Sequence, residues 1–429
     1  MPRNVLPIRF RKFAVAAAIS LLAAFLQAVS LPTAKPAEVG LSAERLDRLT
    51  RVMQEYIDRG MIAGMVTLVA RNGRVAYLRP FGKLDLNGAA MPVNGIFRIA
   101  SQTKAVTSVA VMILQEEGKL LIDDPVAKYI PQFANARVAV PAAEKNSKGY
   151  TTVEIKRPIT IRDLLTHTAG ISYGDGPAKE EYVAAGIYGW FLADKAVPIG
   201  EIVKKLATLP FDAQPGEKWV YGYNSDILGY LVERVSGMTL AEFFARKITG
   251  PLGMTDTHFF LPEDKLGRFT SVYGVDEKGG LKLMEDAREN SYVKGPRVCY
   301  AGGAGLLSTA EDYARLLLML QGGGELGGAR ILSPKSVELM TVDHVGDLYD
   351  SQGFGLGFWV TERLGRNGQP GSVGSFGWGG AYHTTYWVDP AEKLIAVLMT
   401  QLLPAGNSDL HAKFRAMVYQ SIVDSYEKR

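Results

Sequence analysis

A serine and a lysine three positions apart, Ser101 and Lys104, are the residues of this chain best suited to chemistry. They open Ser101-Gln102-Thr103-Lys104, which lies between the extended-looking residues 96–100 and an apolar run at 105–114. Positions i and i+3 of a helix share a face, so the two side chains can touch. The first turn of a helix carries unpaired N–H groups and a positive potential. That setting favours an activated hydroxyl and the oxyanion formed when it attacks a carbonyl. A serine at a helix start also reads as an N-cap, so the tetrad alone leaves both roles open. The pattern recurs at Ser291/Lys294, in a polar stretch ending Gly295-Pro296, and at Ser425/Lys428, near the C-terminus where chains fray. Only the first has a predicted strand before it and a buried helix after it.

A serine–lysine pair needs a third group to relay the proton, and an oxyanion hole. The segment 219–226 supplies tyrosines, Tyr221 and Tyr223, just before a helix whose apolar face is Ile227, Leu228, Leu231, Val232 and Val235. A tyrosine there can reach into a cleft, where a lysine cation lowers its pKa from about 10; both residues also read as half-buried aromatics. Gly377-Trp378-Gly379-Gly380-Ala381-Tyr382-His383 leads into the C-terminal strands. Paired glycines let backbone approach a ligand closely, so the N–H of Ala381 can join that of Ser101 around an oxyanion. The same residues read as a glycine-rich turn entering a strand. His383 follows that turn and can line the cleft.

The elements that must position these residues follow from periodicity. Residues 42–60 read as an amphipathic helix with Ser42 as its cap and Gly60 as its end. Residues 65–70 and 75–78 flank Asn72-Gly73, a strong hairpin signal. Helices are predicted at 161–167, 202–209, 226–236 and 240–248. A second hairpin pairs 384–388 with 394–399, and a last helix covers about 410–425. Strands near both ends, joined by a mostly helical middle, predict an α+β domain. It is an antiparallel sheet formed from both chain ends, flanked by helices, with an inserted helical lobe and a cleft between the two.

Residues 1–34 carry Arg3, Arg9, Arg11 and Lys12, no acid, and an apolar run from Phe13 to Leu26. The run falls short of the roughly 20 residues a membrane span needs. It reads as a secretory signal cleaved after Ser30 or Ala34. A domain at 35–429 then follows, periplasmic or secreted, with no stable membrane span. The precursor's formal charge is +4; loss of the four basic residues brings it to zero, which leaves no reason to expect a nucleic-acid partner. The single cysteine, Cys299, allows no internal disulfide and reads as a small buried side chain. The five histidines are scattered, with no His-Glu-x-x-His or His-x-His, so no metal or other cofactor is expected. His167 reads as a hydrogen-bonded structural residue. There is no Gly-x-Ser-x-Gly, which argues against an α/β-hydrolase.

Several segments, in order, resemble the serine β-lactamase-related superfamily, which takes in class C β-lactamases, family VIII carboxylesterases and D-alanyl-D-alanine carboxypeptidases. They are residues 97–104, 164–171, 251–254 and 302–309. The likeness spans about residues 41–421. It implies Ser101 as nucleophile and Lys104 as its partner. Tyr221 would be the catalytic tyrosine, because Leu228-Gly229 follows at the family's distance, and Ala381 would donate the second oxyanion N–H. Class C enzymes typically carry Tyr-Ser-Asn and Lys-Thr-Gly where this chain has Tyr221-Gly222-Tyr223, with Asn224 one place late, and Trp378-Gly379-Gly380. The cation that would meet a β-lactam carboxylate is missing, and Trp-Gly-Gly is similar to family VIII esterases.

The expected activity is therefore an exported serine hydrolase cleaving small-molecule carboxylic esters through a Ser101 acyl-enzyme. Trp378, Gly379, Gly380 and His383 would contact substrate. Two other readings stand beside it: a β-lactamase or D-alanyl peptidase, and a non-catalytic binder of cell-wall peptides. The oligomeric state is left undefined.

Overall fold

The computed structural model describes residues 30–142, 148–349, 352–366 and 368–426. The signal-sequence expectation for residues 1–34 thus lies almost wholly outside the described residues.

Seven strands form one antiparallel sheet. They are β1 (Gly64–Arg71), β2 (Arg74–Gly82), β3 (Gly353–Phe354), β4 (Trp359–Val360), β5 (Phe376–Gly380), β6 (Thr384–Asp389) and β7 (Leu394–Thr400). Their order is β3-β4-β5-β6-β7-β1-β2. The two ends of the chain meet at the centre, where β1 pairs with β7 from Met65↔Thr400 to Arg71↔Leu394. Asn72 and Gly73 turn β1 into β2 with φ of 55° and 72°, the positive pair that a two-residue hairpin requires.

Strand alternation sorts the sheet into two faces. Val66, Leu68, Tyr386, Val388, Ile395 and Val397 pack in one core with helices α2 (Thr103–Glu116) and α4 (Ala310–Gln321). Met65, Val69, Trp387, Ala396 and Leu398 pack in a second core with α1 (Ala43–Asp58) and α5 (Leu410–Tyr419). Ser42 caps α1 by accepting from the Arg45 N–H at 3.3 Å. The chain between β2 and β3 forms the inserted lobe. It contains α2, α3 (Asn224–Ser236), α4, shorter helices, and small hairpins at 137–154 and 272–285.

Three local expectations change. The last helix ends at Tyr419, six residues short of the predicted limit. The predicted helix 240–248 is α-helical only over Leu240–Phe244 and continues as a wider turn, Ala245–Thr249. The Trp-Gly-Gly segment is itself strand β5 and not a turn before one. Gly377 is needed there because a Cβ would stand 2.3 Å from the Tyr386 carbonyl oxygen.

Candidate active site

Phe97–Arg98 pairs with Leu307–Ser308, and the chain then turns through a 3₁₀ segment, Ala100–Gln102, straight into α2. Ala100 sits at φ +41°, a left-handed conformation that costs a non-glycine residue roughly 1–3 kcal/mol. Ser101 lies within the 3₁₀ turn, partly exposed, and the helix behind it is buried through Leu114. Its hydroxyl makes no capping bond; it accepts from Lys104 Nζ at 3.1 Å.

Lys104 is 1% exposed, so each polar atom on it needs a partner. An ammonium has three N–H groups, and three acceptors surround it: Ser101 Oγ at 3.1 Å, the Tyr173 hydroxyl at 3.1 Å and the Gly303 carbonyl at 2.8 Å. The ring of Tyr221 closes a fourth side, its centroid 4.6 Å from Nζ. The loop carrying Gly303 is stitched to α2 by two further bonds. Thr107 donates to the Gly302 carbonyl at 2.7 Å, and Thr103 accepts from the Leu306 N–H at 3.0 Å. A Cβ at Gly302 would stand 2.4 Å from the Ser225 carbonyl oxygen, which explains a glycine at this approach.

Behind that loop lies Asp226, in the first turn of α3 and buried. Its Oδ1 accepts from the Gly303 N–H at 2.9 Å, while Oδ2 is buried without a hydrogen bond. One peptide group thus bridges Asp226 and Lys104. Burial raises the Asp226 carboxyl to about 6, against the opposing pull of the Lys104 charge.

Tyr221 and Tyr223 part company. The Tyr221 hydroxyl accepts from the Trp378 indole N–H at 3.2 Å, and its ring also packs against His167 and Trp219. Tyr223 is buried and donates to the Gly189 carbonyl at 2.6 Å. His167 lies buried behind Tyr221, and its Nδ1 accepts from the Asn224 amide at 2.9 Å. Burial, reinforced by the Lys104 charge, holds this imidazole well below its usual range and therefore neutral. The Asn224 amide also donates to the Ile171 and Val220 carbonyls at 3.2 Å each, which fixes the backbone leading into Tyr221.

On the sheet side, β5 runs against the turn that carries Ser101. A Cβ at Gly380 would stand 2.3 Å from the Ile99 carbonyl oxygen, so glycine permits the approach. Ala381 packs in one small cluster with Ala100, Tyr382 and Trp190. The backbone of Ala381 is thereby brought to the neighbourhood of Ser101. Trp378 and Gly379 lie in β5 itself, with Phe354 edge-on to the indole at 5.4 Å. His383 follows a different course. At φ +66° it turns towards α5, stacks on His411 at 3.9 Å and bonds Ser408 at 3.1 Å. Burial lowers it to about 3.

Two residues of this group were not expected. Tyr173 follows the Leu164–Ile171 segment with no charge or spacing to mark it. The desolvation of its hydroxyl, followed by the charge effects of Tyr221, Asp226 and Tyr223, raises it well above the usual tyrosine range, so it stays protonated. Asp226 was hidden because an acid in the first turn of a helix already has an explanation in the helix dipole. Among the described residues no cluster of three or more His, Cys, Asp or Glu is arranged to hold a metal. The arrangement can deprotonate a serine through Tyr221 set beside a buried lysine, and then stabilise an oxyanion with backbone N–H groups.

The antiparallel sheet, the inserted helical lobe and the serine–lysine pair at their junction define a serine hydrolase of the β-lactamase/transpeptidase fold. The chain belongs to the beta-lactamase family, whose model matches residues 49–419. It is 35% identical over 389 residues to Protein Rv1367c of Mycobacterium tuberculosis, covering 86% of this chain and 92% of that one. It is 30% identical over 399 residues to esterase EstB of Burkholderia gladioli, covering 88% and 95%. Among solved structures it is similar to EstCE1, a hydrolase with promiscuous acyltransferase activity. The identity is 27%, the TM-score 0.75, and the match covers 89% of this chain and 98% of that one.

Proposed function

We propose that the protein is an exported serine esterase that cleaves uncharged carboxylic esters through a Ser101 acyl-enzyme. The observation that carries this reading is the position of Trp378. Its indole occupies the strand position where a lactam-cleaving site of this family carries a cation, and its N–H is already engaged by Tyr221. The half-buried rings of Trp378, Trp219 and Tyr221 pack together, with Phe354 buried behind the indole; beside the serine they would form a surface that suits an apolar acyl or alcohol group better than a carboxylate. The likeness to EstB supports the same substrate class.

In this reading the Tyr221 oxygen, in its phenolate form between the Lys104 charge and the Trp378 N–H, takes the Ser101 proton as the serine attacks the ester carbonyl, while Tyr173 keeps its own proton and holds Lys104 in place. The N–H groups of Ser101 and Ala381 receive the oxyanion. Return of the proton to the alkoxide releases the alcohol, and water then attacks the acyl-enzyme by the same route in reverse. Export, to the periplasm or outside the cell, rests on the basic and apolar character of residues 1–34. Among the described residues no helix is long and apolar enough to cross a membrane.

A side-by-side assay of the purified protein with a nitrophenyl butyrate and a chromogenic cephalosporin tests the proposal. A higher kcat/KM for the ester is expected. Faster cleavage of the cephalosporin would replace the esterase reading with a β-lactamase one.

A further inference from the structure

The sheet face opposite Ser101 holds a polar cavity of about 230 Å³, walled by Tyr349, Trp359, Thr385, Trp387, His411 and Arg415. It lies on the side of the second core, where Trp359, Trp387 and α5 pack together. Arg415 is its charged wall and is only 5% exposed. Its guanidinium carbon sits 5.2 Å from the Trp359 ring, 5.0 Å from Trp387 and 5.2 Å from Tyr419. Nε donates to the Pro370 carbonyl at 2.8 Å. That bond uses one of five N–H groups; the two terminal amino groups have no protein acceptor among the described residues.

Among the described residues no carboxylate pairs with this cation. Asp389 is the acid whose charge reaches it, but the Asp389 oxygens are taken by the Ser372 N–H at 3.1 Å, the Glu392 N–H at 3.1 Å and the Tyr419 hydroxyl at 2.7 Å. Burial accordingly pulls the guanidinium below its usual range. A second donor on the same cavity is the buried indole N–H of Trp387, whose one polar neighbour among the described residues is the Tyr419 hydroxyl. Unpaired buried charge is costly, and a planar guanidinium fork matches the two oxygens of a carboxylate. The aromatic walls would flank a short organic body.

We propose that this cavity is a binding site for the carboxylate of a small organic acid, held on the free fork of Arg415; its Tyr349 wall backs on the Trp219 ring at 4.7 Å. The inference does not depend on the esterase reading. The test is thermal denaturation of the full chain in sodium butyrate, sodium phosphate and sodium chloride at equal pH and ionic strength. Butyrate should raise Tm by about 1–3 °C over chloride as it saturates the site. Arg415→Met should show no such rise, and should melt no lower than wild type in chloride, because it removes an unpaired buried charge while keeping the packing. Thr385→Leu, which leaves Arg415 in place and fills the cavity, should also lose the rise. It serves as the test if the Met variant does not fold. No rise in wild type, an equal rise in either variant, or a rise with phosphate alone would overturn the proposal.

Discussion

The Trp378 indole N–H donates to the Tyr221 hydroxyl across 3.2 Å. The side chain proposed to face the substrate is therefore bonded to a residue that lies over Lys104. In the proposed mechanism specificity and proton relay would share one contact, and substitutions at Trp378 should reach both.

Trp378→Phe keeps an aromatic wall and removes the N–H. Ester kcat is expected to fall about tenfold, the loss of roughly one hydrogen bond, without any gain against cephalosporins. Trp378→Lys restores a cation, and a charged hydrogen bond to a ligand carboxylate contributes about 1.5–3 kcal/mol. The ratio of ester to cephalosporin kcat/KM should then narrow by roughly 10- to 150-fold. Steady-state kinetics on both substrates check the pair. A cephalosporin gain in the Phe variant would show that the cation is not what matters.

Lys104 donates to the Tyr173 hydroxyl and lies under the Tyr221 ring. If these groups act as one relay, Lys104→Ala and Tyr221→Phe each cost about 10²–10⁴ in kcat, and the double variant costs little more than the worse single one. Tyr173→Phe removes one of three acceptors from a buried ammonium and should cost at least about tenfold in kcat with KM nearly constant. Additive losses across the double variant would show that the residues work independently.

Asp226 ties pH to both stability and rate. Its carboxyl rises to about 6 in the folded chain, burial being the main cause, against about 3.9 when unfolded. The folded state thus binds the proton more tightly. The stability this supplies is complete below about pH 4 and is lost as pH rises through about 6. Asp226→Asn cannot ionise, so its Tm should exceed that of wild type at pH 8, by on the order of 3 kcal/mol in stability, and the gap should close towards pH 4. The same variant keeps an acceptor for the Gly303 N–H but removes the charge facing Lys104. Ester kcat should fall at least about tenfold, and any loss of activity near pH 6 in wild type should be absent. An unchanged acid limb in the Asn variant would separate Asp226 from the reaction.

How much of this was legible in the sequence depends on whether a residue's local pattern had another explanation. Ser101 and Lys104 stood out because a helix start and an i,i+3 spacing place them by themselves. The central hairpins were readable from Asn72-Gly73 and from alternating apolar residues. Strand β5 was not, because glycines at 377, 379 and 380 argue against a strand until the close approach of Ile99 and Tyr386 is known. Tyr173 and Asp226 reach Lys104 only through tertiary contacts, across a loop and across the Gly303 peptide. His383 shows the converse. Its place beside Gly-Gly-Ala suggested the cleft, while a positive φ at that residue turns it to α5 and His411.

Turnover through Ser101 requires a covalent acyl-enzyme. The purified protein is mixed with nitrophenyl butyrate, quenched in acid during turnover, and mapped by peptide mass spectrometry. One butyryl group on the peptide containing Ser101, absent from Ser101→Ala together with ester hydrolysis, is the predicted result. Acylation at Ser291 or Ser425, or undiminished hydrolysis by the Ala variant, would contradict it.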